Sequence, residues 1–564
     1  MFQIVLVLVV FFMLIIPTGR YLYQIALDKK TFADPLFDRV DQMIYRICGI
    51  GKEEMNWKQY AIAMLITNGL MAMGGFFLLM LPSFPFLNPN GIKAMEPSLA
   101  VNTAVSFMTN TDLQHYSGES GLSYFSQMTV IIFLMFTSSA TGFSVCMAFL
   151  RGITGTGKNV GNYYRDMIRI NTRVLLPLSL LLALFLVSQG VPQNFSANVT
   201  VETVEGKFQD LAMGPIAALE SIKHLGTNGG GFLGANSAAP YENPNILTNM
   251  AEMLAMMVMP GAFVIAFGHM AGSGKKDRFV GREAKPVLAV MCIIFLISLT
   301  VCFISESKGN PILIKAGLDQ SLGNMEGKEV RFGIAQSALF TTVTTAFTTG
   351  SVNNMHDSLT PLGGASALMN MMLNVVFGGK GVGLMNMILY AILAVFICGL
   401  MIGRTPEYLG KKIEGKEMKL AALGIIIHPM LILAFTALAV SLKPGLSGIT
   451  NPGFHGLTQV LYEYSSAAAN NGSGFEGLSD NTVFYNVTTA LVMFFGRYLG
   501  ILISLAIAGS LLAKHSINQS TGTLKTDTGT FAGSLLMVVL IIAALTFFPV
   551  MVLGPVAEHL IMWA

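Results

Sequence analysis

Apolar residues in this chain gather into long runs instead of alternating with polar ones. Ten such runs lie near 1–27, 60–82, 123–150, 174–190, 246–270, 284–304, 365–402, 420–442, 483–511 and 531–556. A helix needs about 20 mostly apolar residues to cross a bilayer, so the pattern predicts an all-α polytopic membrane protein with ten transmembrane helices. The first run lacks the basic start of a secretory signal and stays apolar for longer than one, so it reads as a retained span.

Between the runs the polar positions fall into two kinds. The connections 28–58, 151–173, 271–285, 403–419 and 512–530 carry 23 Lys and Arg, whereas 83–122, 191–245, 305–364 and 443–482 carry 8. Lys and Arg mark the cytoplasmic side, which places the first set inside and, with ten spans, both termini outside. The outer connections hold the repeat. Each contains a half-apolar stretch too short to cross, ending in a cluster of Thr, Asn, Ser and Gly: TNTDLQ at 109–114, TNGGG at 227–231, TTGSVN at 348–353 and NNGSG at 470–474. Set in register, the third places are Thr111, Gly229, Gly350 and Gly472, and nine residues earlier stand Asn102, Glu220, Thr341 and Glu463. The unit span, pore helix, polar loop, span therefore occurs four times, which predicts pseudo-fourfold symmetry. The repeats run over 60–150, 174–270, 284–402 and 420–511, with an extra span at each end, 1–27 and 531–556.

Composition agrees. Of the 564 residues 53% are hydrophobic and 12% charged, about half the charge density of a soluble protein. This excludes a large soluble enzyme, a nucleic-acid binder and a disordered chain. A net charge of +3 gives no reason to expect an anionic partner. Cys48, Cys146, Cys292, Cys302 and Cys398 form no CxxC pair, which argues against a zinc site or a disulfide framework.

Polar loops at membrane depth are tolerated where they are buried or line a watery cavity. Glycine reaches positive φ freely, so successive carbonyls can turn to one axis, and a cage of carbonyls and hydroxyls replaces an ion's hydration shell. Without that replacement the idealised cost of burying a small ion is of order 20 kcal/mol. The short helix before each loop aims its negative end inward, which favours a cation. Two charges stand inside spans, where ionisable groups are costly and usually functional: Arg497 in FFGRYLG and Lys380 in FGGKGVG, whose glycines cannot sustain a helix. Arg497 is expected to set positive charge near the ion path, or else to serve as a structural clamp. The GITGTGKN at 152–159 ends in Asn where a phosphate-binding loop needs Ser or Thr, and Asp527-Thr528-Gly529-Thr530 lacks the Lys of the P-type phosphorylation motif. The chain contains no recognisable ATPase.

GTNGGGF (226–232), TTGSVNNMHDS (348–358), AANNGSGFEGL (468–478), MIGRTPEYLGKKIEGKE (401–417) and GPVAEHL (554–560) closely resemble the potassium-binding, channel-like subunits of bacterial Kdp-type potassium-transporting ATPases, over essentially the whole chain. The resemblance implies a non-catalytic subunit of the cytoplasmic (inner) membrane. It would select K⁺ from outside and pass it on within a complex that holds a P-type ATPase subunit, a small accessory subunit and a very small single-span subunit. No cofactor is implied, and K⁺ is the transported ligand. The implied filter comprises Thr109, Asn110, Thr111, Asp112 and Gln114; Thr227, Asn228, Gly229 and Gly230; Thr348, Thr349, Gly350, Ser351 and Asn353; and Asn470, Asn471, Gly472 and Ser473. An intramembrane loop with Gly378, Gly379 and Lys380 is implied as a gate beneath it, in which the Lys380 ammonium would compete with or repel the ion, or merely snorkel. Relatives carry Asn-Trp where this chain has Asp112-Leu113. Asp112 is therefore either a negative charge at the outer mouth, worth about 1 kcal/mol to a cation at 4 Å in bulk-like water, or a solvated residue without a role. Glu220 and Glu463 either lend the filter negative potential or satisfy pore-loop N–H groups. A stand-alone cation channel or ion-coupled symporter of the same superfamily is the alternative. An intramembrane enzyme would need paired catalytic groups, and Arg497 and Lys380 are the only clear intraspan charges, with no acid or nucleophile evident beside them.

Overall fold

The computed structural model describes residues 2–81, 87–272, 279–401, 403, 405–515 and 524–564. Residues 273–278 and 516–523, within two of the basic connections, and residues 402 and 404, within MIGRTPEYLGKKIEGKE, lie outside the described part. Among the described residues ten helical segments are long and apolar enough to span a membrane: Phe2–Ala26, Trp57–Met80, Tyr124–Thr154, Tyr163–Ser188, Ile246–Ala271, Ala284–Lys315, Gly379–Met401, Gly415–Ser441, Val483–Leu512 and Gly529–Trp563. Their outer faces present large apolar side chains such as Leu70, Leu184 and Leu545, as lipid contact requires. Strand is confined to three two-stranded ribbons among the described residues.

Four shorter helices occupy the interior: Pro97–Met108, Ile216–Leu225, Gly333–Ala346 and Phe454–Ala469. The second, with 10 residues, reaches only about 15 Å at 1.5 Å per residue, half a hydrocarbon core of about 30 Å. Asn102, Thr103, Glu220, Thr341 and Glu463 lie buried on them, so the polar residues of these pore helices are enclosed by protein. The fold is all-α, with the four span–pore helix–span quarters and the flanking spans that the repeat predicts.

Close approaches are made at glycines. A β-carbon on Gly19 of the first span would collide with Ile265 of the fifth, and one on Gly261 would collide with Phe11 and Ile15. Small residues at such crossings let backbones meet, the usual means of helix association without a hydrophobic drive. The seventh apolar run is two helices, Pro361–Leu373 and Val382–Met401. Between them Asn374, Phe377, Gly378, Lys380 and Gly381 all take positive φ, and the chain folds into a loop that turns back under the pore helices. At the basic side Arg173 gathers three carboxylates from the short helix Asp34–Ile47: Asp34 at 3.0 Å, Asp38 at 2.6 Å, and Asp41.

Candidate functional site

Each pore helix runs out into a loop with the same backbone signature. Left-handed φ occurs at Asn110 and Asp112, at Thr227 and Gly229, at Thr348 and Gly350, and at Asn470 and Gly472, always two residues apart. The residue between donates its N–H five residues back: Thr111 to Ser106 (2.9 Å), Asn228 to Lys223 (2.8 Å), Thr349 to Thr344 (2.9 Å) and Asn471 to Ser466 (2.9 Å). This signature corrects the register of the first quarter by one residue. Asp112, not Thr111, is the counterpart of Gly229, Gly350 and Gly472, and Thr103, not Asn102, is the counterpart of Glu220, Thr341 and Glu463. The glycine that registers the other three quarters is replaced here by an Asp, a residue type that tolerates the left-handed region better than most.

The four loops close into a ring. A β-carbon on Gly229 would overlap the Thr349 carbonyl oxygen, one on Gly350 that of Asn471, and one on Gly472 that of Thr111. The ring closes between the first and second quarters, where Asn110 donates its amide to the Thr227 carbonyl (2.9 Å) and Gln114 and Gly231 exchange two hydrogen bonds (3.1 and 2.8 Å). Only residues without a β-carbon fit where backbones pass this closely. The side chains of Asn228, Asn353, Asn471 and Ser473 are tied to the surrounding scaffold: Asn228 to the Ile222 carbonyl (3.1 Å), Asn353 to Asn249 (2.9 Å), Asn471 to the Thr344 carbonyl (2.9 Å) and Ser473 to Tyr462 (2.9 Å). Asn470 bonds Thr111 at the seam between the fourth and first quarters (2.9 Å). Gly230 packs on the Asp112 β-carbon. Asp112 is 1% exposed, which overturns the reading of a solvated residue.

Beneath the ring lies the loop between Leu373 and Val382. A β-carbon on Gly379 would meet Thr227 Oγ1 and the Thr348 carbonyl oxygen. Gly378 donates its N–H to the Ala346 carbonyl at 3.2 Å. Lys380 is buried and donates from Nζ to the Asn110 carbonyl oxygen at 3.2 Å, so it does not snorkel to an interface. Arg497 and Lys380 both pack against Gly142, and Arg497 Nη2 has no hydrogen-bond partner among the described residues. Phe377 stacks flat on Phe347 at the end of the third pore helix, with centroids 4.6 Å apart. A cavity of ≈ 60 Å³ adjoins these residues, lined in part by Asn374, His428, Asn470 and Arg497.

Behind the ring each buried Glu faces a basic partner. Glu220 pairs with Lys223 (2.7 Å), which also meets Glu242 (2.7 Å). Glu463 meets His115 Nε2 at 3.1 Å, with Asp480 at 3.9 Å and Asn486 on Nδ1 at 2.7 Å. Burial alone would lower the His115 pKa, but Asp480 and Glu463 outweigh it and hold the ring at about 9. Sequence reasoning missed Lys223, His224, Glu242 and Glu252. Glu252, fully buried in the fifth span, adds to Arg497 and Lys380 as an intraspan charge. The spacing Glu220, Lys223, His224 on a short apolar segment was the available signal.

Four pore hairpins converging on one axis, with a re-entrant loop and two cations below, define the class: a multi-pass membrane protein with the architecture of potassium transporters. The crystal structure of the potassium transporter TrkH from Vibrio parahaemolyticus shares this fold, with a TM-score of 0.51 at 16% identity, covering 87% of this chain and 97% of that one. Within the class, the chain belongs to the family described as the potassium-transporting ATPase A subunit, which matches residues 5–560. Among its relatives, the potassium-transporting ATPase potassium-binding subunit of Clostridium acetobutylicum is 55% identical, covering 99% of both chains. That of Geobacillus kaustophilus is 52% identical, covering 99% of this chain and 98% of its own.

Proposed function

We propose that this chain binds K⁺ from the outside and carries it through the bacterial cytoplasmic membrane as the ion-translocating subunit of a high-affinity uptake complex. ATP is hydrolysed by a separate P-type subunit, assisted by a small accessory subunit and a very small single-span subunit, and both termini face outward. The observation that carries the reading is the ring itself, four left-handed pairs whose backbones pass within van der Waals contact. Paired left-handed residues turn successive carbonyls to one side, where they replace the water of a monovalent cation. Asn110, Thr111 and Asp112, Thr227 to Gly230, Thr348 to Ser351 and Asn470 to Gly472 form the filter. Gln114, Asn353 and Ser473 brace its outer edge, and Thr109 ends the first pore helix above the gate. The names of the relatives support K⁺ as the ion and an ATPase complex as the setting.

Below the filter the Gly378–Gly379–Lys380 loop blocks straight passage, and the charges of Lys380 and Arg497 oppose free leakage of a cation. A chain built this way holds an ion and releases it when a partner moves the loop. Co-purification from native membranes followed by an ATPase assay tests the reading. The expected result is a second large subunit carrying a complete P-type phosphorylation motif, with hydrolysis stimulated by K⁺. Steady K⁺ current through the purified chain alone in planar bilayers would favour the channel alternative.

A further inference from the structure

The second pore helix carries a buried hydrogen-bond network that reaches the third filter loop. Lys223 Nζ, which can only donate, reaches Ser237 Oγ at 3.1 Å. Ser237 Oγ lies 3.1 Å from Ser351 Oγ, Ser351 Oγ lies 3.0 Å from His224 Nε2, and His224 Nδ1 lies 2.9 Å from the Glu220 carbonyl oxygen. That carbonyl can only accept, so Nδ1 carries a proton. Ser351 Oγ also donates to Asn236 Oδ1 at 3.1 Å, which accepts from Lys223 Nζ and the Ser237 N–H, both at 2.8 Å. Glu252 Oε2 is 3.4 Å from His224 Nε2 and Ser237 Oγ is 3.5 Å from it. The Ser351 hydroxyl is thus enclosed by His224, Ser237 and Asn236. All of these side chains except Asn236, which is 8% exposed, are at most 1% exposed.

Ser351 belongs to the third loop and His224 to the helix behind the second. We propose that His224 is a positioning residue that holds the third filter segment against the second quarter through the Ser351 hydroxyl, and so sets the ring width that discriminates K⁺ from other monovalent cations. The proposal rests on the filter reading above. Its physical basis is rigidity: a filter loop tied by buried hydrogen bonds to the helix behind the next quarter resists relaxing to suit a different ionic radius, and losing a buried partner costs free energy.

The test uses cells whose only concentrative K⁺ uptake is the complete transporter, with ⁸⁶Rb⁺ and K⁺ uptake measured side by side. His224→Leu keeps the volume and removes the hydrogen-bonding nitrogen, whereas His224→Gln keeps a hydrogen-bonding group. The expected result is that His224→Leu raises the apparent KM for K⁺ about tenfold and reduces the preference for K⁺ over Rb⁺ at an unchanged maximal rate per molecule in the membrane, and that His224→Gln restores both. Wild-type KM and preference in His224→Leu, or a Gln variant as defective as the Leu one, would overturn the proposal while leaving the filter standing. Should His224→Leu fail to reach the membrane, Ser351→Ala is read in its place: loss of the K⁺ preference is expected, and an unaltered preference overturns the proposal. Wild-type cells that accumulate no K⁺ would sink the filter reading and this proposal together.

Discussion

The ammonium of Lys380 sits 3.2 Å from the backbone carbonyl oxygen of Asn110, so a cation tethered to the re-entrant loop touches the lower edge of the ring. A unit charge in that position repels an ion held a few ångströms above it. Two charges 4 Å apart interact by about 1 kcal/mol in water and about 4 kcal/mol at the effective dielectric of a protein edge. Lys380→Met keeps the reach and removes the charge. The expected outcome is a fall of at least about fivefold in apparent KM for K⁺, measured as net K⁺ uptake by K⁺-depleted intact cells. An unchanged KM would mean that the ammonium does not compete with the ion. Arg497 packs on the same face of Gly142 as Lys380, and Arg497→Gln is expected to alter rate, affinity or selectivity. Identity with wild type in all three would leave Arg497 a structural clamp.

Asp112 supplies a carboxylate inside the ring where the other three quarters have glycine. It is buried, which raises its pKa, while Lys380 and the Gly230 N–H favour the charged form; a bound cation beside it would favour that form further. Asp112→Asn keeps the shape and the left-handed φ and removes the charge. A rise of about tenfold in apparent KM is expected from the loss of one unit charge near the ion, with folding intact by size-exclusion chromatography. If Asp112→Asn and Asp112→Gly both transport like wild type, the carboxylate has no part in binding.

Much of this was legible in the chain because a bilayer leaves few options. Ten apolar runs, an uneven distribution of Lys and Arg and four Gly-bearing clusters lead to the fold without any tertiary information. The register of the first quarter was not legible. Its third place is Asp112, and only the positive φ at Asn110 and Asp112 reveals the match to Thr227 and Gly229. The charges behind the ring were hidden for a different reason. Lys223 and His224 follow an apolar stretch, which in sequence looks like a helix emerging into water. Their burial depends on Glu242, Ser237 and Ser351, which return to the site from other segments.

The ring also makes a steric prediction. Gly350 has φ +98° and Gly472 φ +104°, and each faces a neighbouring carbonyl. Gly350→Ala and Gly472→Ala must both strain the backbone and push two loops apart, and neither the carbonyls nor the pore helices behind them can yield. Loss of nearly all K⁺ uptake is expected in both, with normal amounts in the membrane by quantitative immunoblot. Gly529→Ala is the comparison: no atom lies within 4 Å of its β-carbon position and its φ is ordinary, so uptake is expected to be unaffected. Wild-type transport in Gly350→Ala would mean that the loops do not converge.

His455 links three segments and gives the molecule a pH dependence of defined sign. At the start of the fourth pore helix it bonds Glu558 near the C-terminus at 2.8 Å and Asp357 after the third filter loop at 3.0 Å. Burial alone would lower its pKa, but the two carboxylates outweigh that and hold it at about 9. The ordinary value is about 6.5, so the folded state binds this proton more tightly than the unfolded state does. The stabilisation is therefore complete below about pH 6.5 and is lost as pH rises through about 9, amounting to at most about 3 kcal/mol. Other groups titrate in the same range, Lys411 at about 8 among them because burial disfavours its charge, so the measurement is a difference. The melting temperature of purified wild-type protein should exceed that of His455→Gln at pH 6, and the gap should close by pH 10. A gap that stayed constant across this range would show that His455 contributes through packing and not through its charge.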